Sequence, residues 1–135
     1  LYKLETVSAK DGSERYLSTA GGIEYTYYGI RSTQGDLGVI VEYAFDDRND
    51  NPFNNEGIVG LRWSVNDIKS SSLLVGYLFD MKGNSNRFQA EFEQRVTDNL
   101  KLFLDLALNG SIDDADFTYQ FKEDSSLTLK LAKYF

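Results

Sequence analysis

The stretch GDLGVIVEYAFDD, residues 35–47, reads as a strand whose polarity is sorted by side. Every second residue gives Leu37, Val39, Val41, Tyr43 and Phe45 on one face, all apolar and ending in two aromatics. The other face carries Gly38, Ile40, Glu42, Ala44 and Asp46. A period of two is the signature of a strand with different surroundings on its two faces. The question for the whole chain is which face meets which solvent.

The same alternation recurs downstream. Val59, Leu61, Trp63 and Val65 oppose Gly60, Arg62 and Ser64; Leu73, Val75, Tyr77 and Phe79 oppose Leu74, Gly76, Leu78 and Asp80. Phe88, Ala90 and Phe92 oppose Arg87, Gln89, Glu91, Glu93 and Arg95. Leucines at even positions from Leu100 to Leu108 oppose Lys101, Phe103, Asp105, Ala107 and Asn109. Leu127, Leu129 and Leu131 oppose Thr128, Lys130, Ala132 and Tyr134. Helical periodicity is scarce.

Eight strands are expected, near residues 1–8, 16–30, 36–46, 57–65, 71–80, 86–96, 100–109 and 122–135. Short polar connections (RSTQGD, VNDIKS, TDN) alternate with longer ones rich in Asp and Asn (DDRNDNPFNNEG, DMKGNSN, NGSIDDADFTYQ). Turns at one end and loops at the other describe an antiparallel up-and-down meander. FTYQF is read as part of a loop, because eight strands return the chain to the side where it began. No linker or low-complexity tract divides residues 1–135, so one domain is expected.

Composition narrows the function classes. The chain has 135 residues, a formal charge of −7, no Cys and no His. An acidic balance argues against nucleic acid as a partner. Without Cys or His there is no thiolate or imidazole for nucleophilic, acid–base or metal chemistry. Hydrolases of membrane-barrel shape usually need a Ser–His pair, and no glycine-rich phosphate loop appears. Glu91 and Glu93 share a face, but neighbouring inward charges are expected in any case, so no catalysis and no cofactor are expected. DRNDNP places Asp47, Asn49 and Asn51 at alternate positions like a calcium loop. Pro52 then stands where Gly is needed and Ile58 where the closing Glu belongs, so no metal site is expected.

Nine Tyr, nine Phe and one Trp make the chain aromatic-rich. If the tight turns lie at the bottom, Tyr43, Phe45, Tyr77, Phe79 and Phe88 fall near the top, and Trp63, Tyr25 and Tyr27 near the bottom. Two aromatic girdles around an aliphatic belt characterise a transmembrane barrel. The expected fold is therefore an all-β, antiparallel up-and-down transmembrane β-barrel of about eight strands in this chain. The apolar face would meet lipid, and the mixed face would line the interior. Small residues and charges there suit a barrel's inner wall.

The ending SLTLKLAKYF resembles the C-terminal strand of bacterial outer-membrane β-barrel proteins. In that family the terminal aromatic and the alternating hydrophobics before it are the recognition signal for the barrel-assembly machinery, which the resemblance places on Phe135, Leu131, Leu129 and Leu127. The position two before the end, often aromatic in the family, is Lys133 here, with Tyr134 beside it. The run GLRWSVNDIKSSSLLVGYLFD similarly resembles the C-terminal portion of longer, porin-like outer-membrane proteins. The chain is thus either a complete small barrel or the C-terminal part of a larger one, with the remaining strands as partners alongside outer-membrane lipid and lipopolysaccharide.

Interior charges are the functional candidates: Glu42, Arg62, Arg87, Glu91, Glu93, Arg95, Lys101, Asp105 and Lys130. In a wide barrel they line a water-filled lumen and bias ion passage; in a small closed one they form a salt-bridged core. Inward Ile40, Ile58, Leu74 and Leu78 mark an apolar half that would contact a plug, loop or small ligand. The leading expectation is a passive pore of the bacterial outer membrane. A non-conducting anchoring barrel that presents loops, and a soluble ligand-binding barrel, are the alternatives.

Overall fold

The computed structural model describes residues 1–12, 14–30, 33–48, 55–83, 85–112, 114 and 117–135. Eight strands follow one another: β1 (Tyr2–Asp11), β2 (Glu14–Tyr27), β3 (Asp36–Asp46), β4 (Asn55–Ser64), β5 (Ser72–Asp80), β6 (Asn86–Thr97), β7 (Leu100–Asn109) and β8 (Ser126–Lys133). They form one antiparallel sheet in the order β1-β2-β3-β4-β5-β6-β7-β8. The expected meander and strand number are therefore present. The ladder does not close: β1 pairs with β2 alone and β8 with β7 alone, so this is an open sheet and not a sealed barrel.

Connections differ from the expected alternation of turns and loops. Only Gly12 and Ser13 separate β1 from β2, and Gly12 takes φ 59°, the left-handed conformation that a two-residue hairpin requires. β6 and β7 are equally close, with a bulge between Arg95 and Thr97. FTYQF lies in the β7–β8 connection as expected, with Phe117–Phe121 forming a short 3-10 turn, but β8 begins only at Ser126 and not near residue 122.

The register keeps the two faces apart across the whole sheet. Tyr27, Leu37, Trp63, Leu73, Phe92, Leu104 and Leu129 form one continuous cross-strand row. Tyr25, Val39, Leu61, Val75, Ala90, Leu106 and Leu127 form the next on the same face. Several aromatics sit near the ends of their strands: Tyr25 and Tyr27 close β2, Trp63 is next to last in β4, and Phe45 and Phe79 hold the corresponding places at the opposite end, whereas Tyr77, expected near the top, and Phe92 lie near mid-strand. Tyr25 and Tyr27 meet edge to face with ring centroids 4.6 Å apart, and the Tyr43 hydroxyl donates to Asn55 Oδ1.

Stagger accumulates across the ladder. From Ser126 of β8 the register runs through Ala107, Gln89, Gly76, Gly60 and Ile40 to Glu24. Glu24 exchanges both backbone hydrogen bonds with Leu1, at 2.9 and 2.7 Å. β1 and β8 thus start from one row and run in opposite directions, so their midpoints lie about nine residues apart over the intervening strand-to-strand steps. With about 3.3 Å per residue and about 4.8 Å between strands, the strands incline by about 40° to the normal of the band their midpoints form.

No hydrophobic side chain is buried among the described residues. Leu61 is 44% exposed, Trp63 49% and Leu129 65%, though all lie in the apolar rows. The chain exposes 9791 Å² where a compact water-soluble protein of its mass exposes about 7,100 Å². An apolar face eight strands wide and ten residues long spans roughly 1,100 Å², well beyond the largest apolar patch of an ordinary soluble monomer.

Gly57 packs closely against its register partner Phe79. A Cβ at Gly57 would lie 2.5 Å from Phe79 Cζ, whereas one at Gly76 meets nothing within 4 Å. Gly57→Val is expected to displace the ring and lower unfolding stability by about 1–3 kcal/mol. Gly76→Val is expected to change it by less than about 0.5 kcal/mol. Urea titration of both variants in the same detergent checks the difference.

Candidate functional site

All nine interior charges predicted from sequence fall on one face. Arg62, Leu74, Glu91 and Asp105 lie in a single cross-strand row, and Glu42, Ile58, Leu78 and Arg87 in another. Glu93 is flanked by Ser72 and Phe103, Phe103 is followed by Lys130, and Arg95 faces Lys101. Alternation alone accounts for the placement, because each residue has the same parity in its strand as its register partners.

An open cavity of about 780 Å³ lies against this face near the β4–β5 connection. It gathers Arg62, Glu91, Glu93 and Asp105 of the predicted set, together with Phe103 and Asp67. Glu42, Arg87, Arg95, Lys101 and Lys130 share the face but do not line the cavity. The inward apolar residues Ile40, Ile58, Leu74 and Leu78 form a patch on β3–β5 around Gly60 and Gly76, edged by Glu42 and Arg62.

Two features were not found by sequence reasoning, one on this face and one at a turn beside it. Glu24 of β2 is 3.4 Å from Arg62 Nη1, and the two are a partly exposed ion pair worth at most about 1 kcal/mol. Extending the period of two into GGIEYTY was the available signal. The second feature is the β4–β5 connection. Asp67 accepts from the Ser71 backbone N–H at 2.8 Å and from its hydroxyl at 3.0 Å, and Gln94 of β6 donates to the same hydroxyl at 3.0 Å. The Arg95 N–H adds a bond to Lys69 O at 2.7 Å, tying the turn to the next strand pair. No alternation predicts it, because this segment is a turn.

Hydrogen bonding by the Ser71 N–H holds the Asp67 carboxyl below its ordinary value, with partial desolvation working against it. A depressed native pKa contributes stability that is present above the ordinary carboxylate value and is lost as pH falls below it. Asp67→Asn is therefore expected to lower stability at pH 7, with the loss shrinking as pH falls through the lowered native value, as urea titration over that range would show.

The like-charge arrangement on β6 and β7 is the main electrostatic feature. Glu91 lies opposite Asp105 and Arg95 opposite Lys101. Among the described residues the ion pairs are Lys3–Glu5, Arg48–Asp46 and Arg62–Glu24, so none joins Glu42, Arg87, Glu91, Glu93, Arg95, Lys101 or Asp105. Lys130 Nζ instead stands 5.5 Å from the Phe103 ring centroid. No group of three or more acidic side chains converges as a metal site requires, among the described residues. The calcium-like spacing at Asn49, Asn51 and Pro52 lies outside them.

Of the predicted terminal signal, Leu127, Leu129 and Leu131 project from the apolar face of β8, and Phe135 lies beyond its last paired residue. Comparison of the chain with protein-family models, curated proteins and solved structures finds no match.

Proposed function

We propose that this chain forms part of the wall of a bacterial outer-membrane β-barrel that acts as a passive pore. The observation that carries the reading is the apolar face, continuous and exposed from β2 to β8, with no buried hydrophobic side chain among the described residues. Turned toward hydrocarbon, that face loses nothing by its exposure. Ten residues at about 3.3 Å each, inclined by about 40°, cover about 25 Å, the height of the apolar band of a membrane barrel. Aromatics at both strand ends then stand at the headgroup levels.

Two further observations favour a lumen wider than eight strands enclose. The outer edges of β1 and β8 carry unpaired backbone groups, which lipid does not tolerate, so each needs a strand as neighbour, and an unclosed eight-strand ladder is compatible with further strands supplying it. Glu91 opposite Asp105 and Arg95 opposite Lys101 would be costly in the side-chain-filled interior of a small barrel, and are inexpensive against water. The remaining strands, outer-membrane lipid and lipopolysaccharide, and the barrel-assembly machinery acting through β8 are the proposed partners.

The test is reconstitution. Protein that stays dispersed only with amphiphile, migrates on gels in a heat-modifiable way and gives discrete conductance steps in planar bilayers supports the pore. Heat-modifiable migration without conductance favours the anchoring barrel. A monomer freely soluble without amphiphile favours a soluble barrel.

A further inference from the structure

The register allows the inner-face charges to be sorted by height, since each strand's midpoint marks one level of the inclined band. Near mid-strand stand Glu42 in β3, Glu91 and Glu93 in β6, and Asp105 in β7, with Glu5 in β1. Lys130 in β8 is the one cation at that height on the inner face among the described residues. Glu5 is held by Lys3 at 3.3 Å, and Lys130 is directed at an aromatic ring, so the other four carboxylates keep their charge uncompensated.

The tight-turn ends of the strands have the opposite character. Arg62, Arg95 and Lys101 lie there, with Lys3 at the start of β1 and Lys69 in the β4–β5 turn, against Glu24, Asp36 and the turn residues Asp67 and Asp98. Arg62 is engaged by Glu24, and Arg95 and Lys101 face each other with no acidic partner. The axial profile is therefore a negative waist above a mouth of mixed charge in which the Arg95–Lys101 pair is the positive feature.

We propose that the lumen favours small cations over anions and conducts asymmetrically, the waist of Glu42, Glu91, Glu93 and Asp105 setting the preference and the Arg95–Lys101 pair at the tight-turn mouth setting the asymmetry. The inference rests on the pore reading and adds to it the sign of the permeant ion. No bound ion is required: fixed charges on a confining wall raise the local counter-ion concentration, and diffusing ions sample that potential. The effect extends about 10 Å at 0.1 M salt and about 3 Å at 1 M, so the preference weakens as salt rises.

The experiment is the reversal potential of the reconstituted protein across a potassium chloride gradient, with current–voltage curves at both polarities. The expected result is a several-fold preference for potassium over chloride at 0.1 M, reduced at 1 M, with unequal currents at opposite voltages. The double variant Glu91→Gln with Asp105→Asn should remove most of the preference while leaving conductance steps. Arg95→Gln with Lys101→Gln should remove the asymmetry while leaving the preference. Chloride preference in the unaltered protein, or the same reversal potential in the carboxylate variant, overturns the proposal while the pore stands. Absence of any conductance overturns both.

Discussion

Leu104→Arg is expected to cost about 2–4 kcal/mol of stability in phospholipid vesicles. Leu104 stands near the middle of β7 in the row with Trp63 and Leu129, so an arginine there would be placed near the centre of the hydrocarbon. Gln89→Arg puts the same side chain one strand away on the opposite face, beside Gly76 and Ala107, and should cost less than about 1 kcal/mol. Urea titration of vesicle-inserted protein gives both values. Both variants introduce the same arginine into neighbouring strands, so the difference reports chiefly on sidedness. Equal costs would mean that neither face meets lipid.

The second large effect is expected at β8. Leu127, Leu129 and Leu131 are 67, 65 and 61% exposed, and the strand is held by β7 alone. Leu129→Asp places a carboxylate in the apolar band and interrupts the alternating signal that resembles an assembly tag. Most of the membrane-inserted protein should be lost when the variant is produced in a Gram-negative host, with the chain recovered in periplasmic aggregates or degraded. Phe135→Ala should reduce insertion in cells but not spontaneous folding into short-chain lipid vesicles, because Phe135 lies past the paired residues of β8. If both variants insert normally in cells, β8 is not the recognised segment.

Sequence made the sheet legible wherever one face was consistently apolar. From β3 to β8 the alternation is almost unbroken, and the shared face of all nine charges followed from it. β1 and the first half of β2 were harder to delimit. Thr6, Ser8 and Lys10 interrupt the outward row of β1, and Arg15 that of β2, so hydrophobicity did not show how far either strand ran. The turn between them rests on Gly12, which supplies the positive φ. The β4–β5 connection was opaque because polar contacts among Asp67, Ser71 and Gln94 carry it, and these have no periodicity.

Closure is the property that local pattern does not contain. Each ladder is specified by its two strands, whereas the number of strands in a ring depends on accumulated stagger and on what adjoins the edges. An inclination of about 40° is compatible with rings of many sizes. The unpaired like charges of β6 and β7 are what favour the wider ring, and they became evident only once the register set Glu91 against Asp105 and Arg95 against Lys101.

The most direct measurement exploits the absence of native cysteine. Single cysteines introduced along β7, Leu100–Asn109, carry nitroxide labels in protein reconstituted in lipid vesicles. With the apolar face outward, even-numbered positions should relax with lipid-dissolved oxygen and odd-numbered positions with a water-soluble nickel complex, in strict alternation. If labels at Leu102, Leu104 and Leu106 are shielded from both reagents while the odd positions stay aqueous, the apolar face is packed inside a dry core, and the membrane reading is wrong.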